Sequence, residues 1–99
     1  MKNRIKDERS KLFVSALLSL KTEDEMFSFL EDVCTIPEIK SISQRLEVAI
    51  LLKKNTSYTE IAEKTGVSTA TISRVKRALE YGADGYEKVL SNLEKDGKI

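Results

Sequence analysis

Hydroxyl and cationic side chains are concentrated in one short stretch of this sequence, SYTEIAEKTGVSTATISRVKRAL, which spans residues 57–79. No acidic residue occurs in it from Val67 to Leu79. Hydroxyl, arginine and lysine side chains donate hydrogen bonds to phosphates and to base edges, so the stretch suits double-stranded DNA. The residues expected to meet base edges are Thr69, Ala70, Thr71 and Ser73. Those expected to hold phosphates are Arg74, Lys76 and Arg77, with Lys53 and Lys54 just upstream.

The elements that position these side chains are two short helices joined by a tight turn. Ser57 and Glu60 have the spacing of a capping box, which begins the first helix. Gly66 can adopt the left-handed conformation that ends this helix, and Ser68 can cap the next one. The apolar positions of the second helix are spaced by three and four: Ile72, Val75 and Leu79. The pattern predicts a helix-turn-helix over residues 57–79, and a plain helical corner with a solvated basic face is the alternative.

Charge is distributed unevenly over the 99 residues. The chain has 17 Lys and Arg against 16 Asp and Glu, a net charge of +1, so its total charge says nothing about nucleic acid. The cations surround the predicted motif, whereas an acidic segment lies near the second predicted helix. Its members are Glu23, Asp24, Glu25, Glu31 and Asp32. This segment leaves open a helical dimer that binds other proteins without specific DNA binding. Steeply salt-dependent binding to duplex DNA would distinguish the two functions.

The residues for catalysis or metal binding are scarce. There is no histidine, and Cys34 is the single cysteine, expected to be a buried small hydrophobe. We therefore expect no enzyme activity, metal, cofactor or disulfide. The charged start and the short apolar run after it do not fit a signal peptide or membrane span. We expect a cytoplasmic protein that does not associate with membranes.

Apolar residues recur with helical spacing elsewhere, and no segment alternates with a period of two, so an all-α fold with six helices is predicted. The first helix is expected to begin near Asp7. Capping boxes are expected at Thr22 with Glu25, Thr35 with Glu38, and Asp84 with Glu87. The fifth helix should stop at Gly82. Inward positions are expected at Leu12, Phe13, Ala16, Leu17 and Leu20, then Met26, Phe29, Leu30 and Val33, and in the last helix Tyr86, Val89, Leu90 and Leu93.

The third helix, from Thr35 to about Lys54, is apolar on several sides. Its apolar positions are Ile39, Ile42, Leu46, Val48, Ala49, Ile50, Leu51 and Leu52. Such a helix must be buried on several sides, which is hard to arrange in one small subunit. The sequence therefore predicts a homodimer with this helix near its centre. The length predicts one domain, residues 1–99.

At several positions the chain resembles the tryptophan repressor family, and within it the YerC/YecD group. The resemblance covers about residues 12–93 and lies in the run TGVSTATISRVKRAL, in Thr35, and in Arg45 of QRLEVA. It implies an intertwined homodimer whose fourth and fifth helices form the helix-turn-helix. It also implies a transcriptional repressor that binds a palindromic operator as a dimer.

In the tryptophan repressor, the corepressor tryptophan lies between the third helix and the recognition helix. By resemblance, the residues of this pocket are Thr35, Arg45, Arg74, Val75 and Ala78. Val75 replaces a glycine that makes room for the indole ring, and Ala78 replaces a serine that meets the amino group of the ligand. We expect a vestigial pocket that does not use tryptophan, with any other effector unknown. Arg45 and Arg74 could still hold an anion, or equally contact phosphates or form surface ion pairs.

Overall fold

The computed structural model describes residues 5–99, and this part of the chain forms six α-helices without any strand. The helices are α1 (Glu8–Leu18), α2 (Glu23–Val33), α3 (Ile36–Lys53), α4 (Tyr58–Thr65), α5 (Thr69–Tyr81) and α6 (Gly85–Lys95). The predicted all-α, six-helix fold is confirmed. None of these helices is long and apolar enough to cross a bilayer.

Local capping bonds begin the first three helices where the sequence predicted. The Thr22 hydroxyl accepts from the Glu25 N–H at 3.1 Å, and the Glu25 carboxylate accepts from the Thr22 N–H at 3.3 Å. Thr35 and Glu38 form the same reciprocal pair at 3.2 and 2.7 Å. At α1, the Asp7 carboxylate accepts from the Ser10 N–H at 2.8 Å. Each capped helix thus satisfies part of its unpaired N-terminal amides with its own side chains.

The predicted capping box of α4 is only half formed. The Ser57 hydroxyl accepts from the Glu60 N–H at 3.2 Å. The Glu60 carboxylate does not return to Ser57 but lies 3.1 Å from the Lys64 ammonium, one turn further along α4. A carboxylate is attracted more strongly by a nearby cation than by a neutral amide that water can reach.

The predicted Asp84–Glu87 capping box of α6 was wrong. Asp84 has a left-handed backbone with φ of 67° and makes no side-chain capping bond to α6. The Glu87 carboxylate lies 2.8 Å from the Lys53 ammonium at the end of α3. Glu87 therefore connects α6 to α3, a contact that the spacing of residues within α6 could not predict.

Gly82 ends α5 as predicted, although not through a left-handed conformation. Its φ is −86°, which any residue can adopt. A Cβ added to Gly82 would collide with the carbonyl oxygen of Ala78. The glycine is needed because the chain passes too close to the last turn of α5 for a side chain.

The described part of the chain divides into two compact units, which we call the N-terminal unit (residues 5–40) and the C-terminal unit (Ser41–Ile99). Helix α3 runs through this boundary without a break. The C-terminal unit holds a core of six buried side chains from α3, α4, α5 and α6. They are Val48, Ala49, Ile61, Ile72, Val75 and Leu90. Because α4 and α5 both bury side chains in this core, their mutual orientation is set by packing.

In the N-terminal unit, α1 and α2 have no fully buried residue. The Phe13 and Phe29 rings lie 6.1 Å apart between centroids. The inward positions predicted at Leu12, Phe13 and Val33 are exposed in the single chain, Leu12 by 73%. Helical periodicity identifies an apolar face, but it does not say whether the same chain covers that face.

Three further expectations about burial were wrong for the single chain. Cys34, expected to be buried, is half-buried just after α2. Ile42 in α3 and Val89 in α6 are exposed. By contrast, Leu90 and its neighbours Tyr86 and Leu93 contribute to the core as predicted.

Candidate nucleic-acid interface

The turn between α4 and α5 is three residues long and is held by internal hydrogen bonds. Gly66 has φ of 76°, as predicted, and its N–H donates to the Ala62 carbonyl at 2.9 Å. The hydroxyl of the buried Thr65 donates to the Ile61 carbonyl at 2.7 Å and accepts from the Val67 N–H at 3.3 Å. The turn therefore has little freedom to change the angle between the two helices. Sequence reasoning missed Thr65, although a threonine directly before a helix-ending glycine was the available signal.

Helix α3 holds the same turn from the other side. The Gln44 side-chain amide donates to the Thr65 carbonyl at 3.1 Å. This carbonyl lies in the last turn of α4 and has no partner within that helix. Gln44, which the sequence analysis also missed, thus provides a polar link between α3 and the turn, beside the apolar core.

The predicted base-contact residues divide into two groups. Thr69, Ala70 and Ser73 are exposed on α5. Thr71 is half-buried, and its N–H and hydroxyl each lie 3.2 Å from the hydroxyl of the cap residue Ser68. The first group is free to meet a ligand, whereas Thr71 is partly engaged in beginning the helix.

The residues predicted to contact phosphates are exposed on α5, outside the stripe formed by the buried Ile72 and Val75. They are Arg74, Lys76 and Arg77. The first turn of α5 carries no acidic residue. In the other helices of residues 5–99 an acidic residue occupies the first turn. The partial positive charge at the start of α5 is therefore not compensated by its own side chains, which favours an anionic ligand.

Two residues beside this cationic face were missed from the sequence. The Lys76 ammonium lies over the ring of Tyr58, 5.9 Å from its centroid. Glu80 is exposed on α5, four residues after Lys76, just beyond the acid-free run. The available signal for Glu80 was its helical spacing from Lys76 and Arg77.

The upstream lysines differ from each other in their surroundings. Lys53 ends α3 and pairs with Glu87, whereas Lys54 is exposed just after the helix. A cleft of about 400 Å³ is lined by both Lys53 and Lys76, together with Tyr58, Glu80 and Glu87. The fold thus brings Lys53 to the side of α5 that carries Lys76, as a cation that already has an acidic partner.

Comparison with known proteins identifies the family. Residues 8–94, from the first residue of α1 almost to the end of α6, match the family model described as Trp repressor protein. The chain belongs to the Trp repressor family. The resemblance inferred from the sequence is thereby confirmed.

Relatives within the Trp repressor family cover almost the whole chain. The protein YerC of Bacillus subtilis (strain 168) is 51% identical over 87 residues, which are 88% of this chain and 83% of YerC. The crystal structure of a TrpR-like protein from Eubacterium eligens ATCC 27750 is 54% identical, with a TM-score of 0.88 over 94% of this chain and 96% of that chain. A proposed Trp repressor from Staphylococcus aureus is 39% identical, with a TM-score of 0.87 over 95% of both chains.

The residues that the family resemblance assigned to the effector pocket have distinct environments. In the N-terminal unit, Thr35 begins α3 through its capping bonds with Glu38. In the C-terminal unit, Arg45 and Arg74 line one pocket of about 290 Å³. Val75 is only 2% exposed and belongs to the core, and Ala78 is half-buried.

Proposed function

We propose that this member of the Trp repressor family is a transcriptional repressor that binds a palindromic operator as a homodimer. Family membership supports a DNA-binding regulator in general. The surface of α5 is the observation that supports specific binding to an operator. Its buried stripe, Ile72 and Val75, fixes the helix to the core, and its exposed face presents hydroxyl and cationic side chains. Such a helix suits the major groove of DNA.

The proposed contacts follow from position along α5. The exposed residues near its beginning, Thr69, Ala70 and Ser73, meet base edges, because the start of a recognition helix enters the groove most deeply. Thr71 acts mainly through the cap that it forms with Ser68. Phosphates are held by Arg74, Lys76, Arg77, Lys53 and Lys54.

The proposed dimer is supported by the apolar surface of the N-terminal unit. Large side chains such as Leu18, Phe27 and Ile36 are exposed in the single chain, the last by 80%. Several large apolar side chains exposed on one small unit are characteristic of a surface that associates with another protein. We infer that a second copy covers it, with one domain per subunit. The operator half-sites should lie about one helical turn, roughly 34 Å, apart.

We further infer that tryptophan is not the corepressor and that DNA binding in the cytoplasm needs no small molecule. Val75 lies in the core of the C-terminal unit. Making room there for an indole ring would require the core to open. By resemblance, the hydroxyl that the tryptophan repressor offers to the amino group of its ligand is replaced here by the methyl group of Ala78.

The proposal is tested by selecting bound duplexes from a random pool and measuring their affinity at several salt concentrations. Ser73→Glu should abolish specific binding, because it places a carboxylate against the groove. Ser91→Glu, the same change at an exposed position of α6, is the matched control and should retain binding. Light scattering at micromolar concentration should report twice the chain mass. No enriched duplex and no salt dependence would instead favour a protein-interaction module.

A further inference from the structure

Lys76 has two possible partners on the surface of the C-terminal unit. One is the ring of Tyr58 on α4, with the ammonium 5.9 Å from the ring centroid. The other is the carboxylate of Glu80, four residues further along α5, where helical side chains are neighbours. Within residues 5–99, the ion pairs join Glu8 to Lys11, Lys53 to Glu87, and Glu60 to Lys64. Lys76 lies over the ring and is not paired with Glu80.

The two partners differ in how favourable their contact with Lys76 is and in whether they neutralise its charge. Tyr58 is half-buried and packs against the core, so its ring is already fixed when Lys76 lies over it. A lysine four residues before a glutamate is the less favourable order for a helical ion pair. A ring leaves the full charge on the ammonium, whereas a carboxylate neutralises it. Only the charged, unneutralised lysine displaces a counterion when it meets a DNA phosphate.

We propose that Tyr58 is a positioning residue for the phosphate contact of Lys76. Its ring holds the ammonium at the edge of the exposed face of α5 and away from Glu80, so that the charge stays available to DNA. The inference rests on the proposed DNA-binding function. Helix α4 then contributes to DNA binding through Tyr58, which acts on Lys76 of α5.

The test measures how the affinity for a selected operator changes with salt. Lys76→Met removes one charge from each subunit of the dimer and sets the reference, a slope lower by about two units. Tyr58→Leu keeps an apolar side chain but removes the ring, so its slope should fall towards that reference. Its affinity at low salt should fall about five- to thirtyfold, because an exposed cation–ring contact is lost in each of the two subunits. Tyr58→Phe retains the ring and should behave as the native chain.

Glu80 provides the decisive control. Adding Glu80→Gln to Tyr58→Leu should restore the salt slope of the native chain. This increase in slope should be larger than the increase that Glu80→Gln causes in the native chain. In the Lys76→Met background, Tyr58→Leu should cause no further loss. An equal loss in that background would show that Tyr58 is merely structural and would overturn the proposal. A loss in Tyr58→Phe as large as in Tyr58→Leu would also overturn it, since it would assign the effect to the hydroxyl.

A second measurement needs no DNA. The ε-methylene protons of Lys76 should show an upfield NMR shift from the ring in the native chain and in Tyr58→Phe, and the shift should vanish in Tyr58→Leu. Its absence from the native chain would overturn the pairing even if DNA binding is established. A native chain that shows this shift but binds no duplex would instead overturn the proposed function, and with it this role of Tyr58.

Discussion

The side-chain amide of Gln44 donates a hydrogen bond to the backbone carbonyl of Thr65, and this bond joins α3 to the turn that precedes α5. Thr65 is itself buried, and its hydroxyl bonds the Ile61 carbonyl in α4 and the Val67 N–H in the turn. This hydrogen bond is partly buried, so Gln44 provides a partner for a carbonyl that water reaches less easily.

Replacing Gln44 by methionine should destabilise the fold by about 1–2 kcal/mol, because the Thr65 carbonyl is left without its donor. Gln44→Glu should cost at least as much, since a carboxylate cannot donate to a carbonyl. The measurement is the free energy of unfolding in urea. Ser43→Ala, at the neighbouring exposed position of α3, is the control and should change it by less than about 0.5 kcal/mol. Equal stability of all these variants would contradict a role for the bond.

Two valines of the C-terminal unit give a matched pair for the core. Val75 is 2% exposed and Val89 is 45% exposed. Val75→Ala should lower the free energy of unfolding by about 2 kcal/mol, because the two methyl groups that it removes leave a cavity in the core. Val89→Ala should cost less than about 1 kcal/mol. Chemical denaturation at one fixed protein concentration compares them. The packing assigned to Val75 is incorrect if the order of the two losses is reversed.

Tryptophan should give no saturable heat when it is titrated at millimolar concentration into the native chain. Overpacking at Val75 costs about 1–3 kcal/mol. Leaving the ligand ammonium without the missing hydroxyl at Ala78 costs about 1–3 kcal/mol more if the group is buried. Val75→Gly combined with Ala78→Ser should move the chain towards binding, with Ala78→Ser alone as the control. Because Val75 is in the core, the folded state of the double variant must be checked by circular dichroism. Micromolar binding by the native chain would refute the occlusion.

The stability of the N-terminal unit should fall as the pH falls below the ordinary range of a glutamate. The Thr35 N–H bond lowers the pKa of Glu38 from its usual 4.5 in the folded chain. As the pH falls, the carboxyl of Glu38 therefore takes up its proton in the unfolded chain before it does so in the folded chain. The stability that this carboxylate provides is complete above the pKa of the unfolded chain and is lost as the pH falls through the pKa of the folded chain. NMR titration of the Glu38 carboxyl carbon measures the shift of the pKa directly.

Variants at this capping box separate its two hydrogen bonds. Glu38→Gln should flatten the dependence of stability on pH in the acidic range. Thr35→Val removes the hydroxyl but keeps the backbone N–H, which is the largest cause of the lowered pKa, so part of the dependence should remain. A titration midpoint of Glu38 at or above 4.5 in the native chain would rule out this linkage.

The features that the sequence predicted correctly depend on neighbours in the chain. The capping boxes at Thr22 and Thr35 and the left-handed Gly66 each involve residues a few positions apart. Their spacing is visible in the sequence, and helix starts and ends follow from it. The same is true of the inward stripe of α5, Ile72 and Val75.

The features that were missed or mistaken depend on partners far away in the chain. Glu87 was assigned to a capping box but pairs with Lys53 of α3. The link from Gln44 to Thr65 and the contact of Lys76 with Tyr58 also join different helices. Composition and periodicity fix neither the distance nor the direction between two helices. The candidate site could therefore be located on α5 from the sequence, while the partners of its lysines could not be predicted.

The Lys53–Glu87 pair has a consequence for the order in which the chain folds. It joins residues 34 positions apart, whereas the capping bonds join residues three apart. Isolated helical turns form within about a microsecond, but a long loop must lose entropy before its ends can meet. The contact with α6 therefore closes late on refolding. Helix α6 buries one residue, Leu90, whereas α4 and α5 bury two each. Helix α6 should therefore be the first of these three helices to detach from the core. Its amides should exchange with solvent before those of α4 and α5.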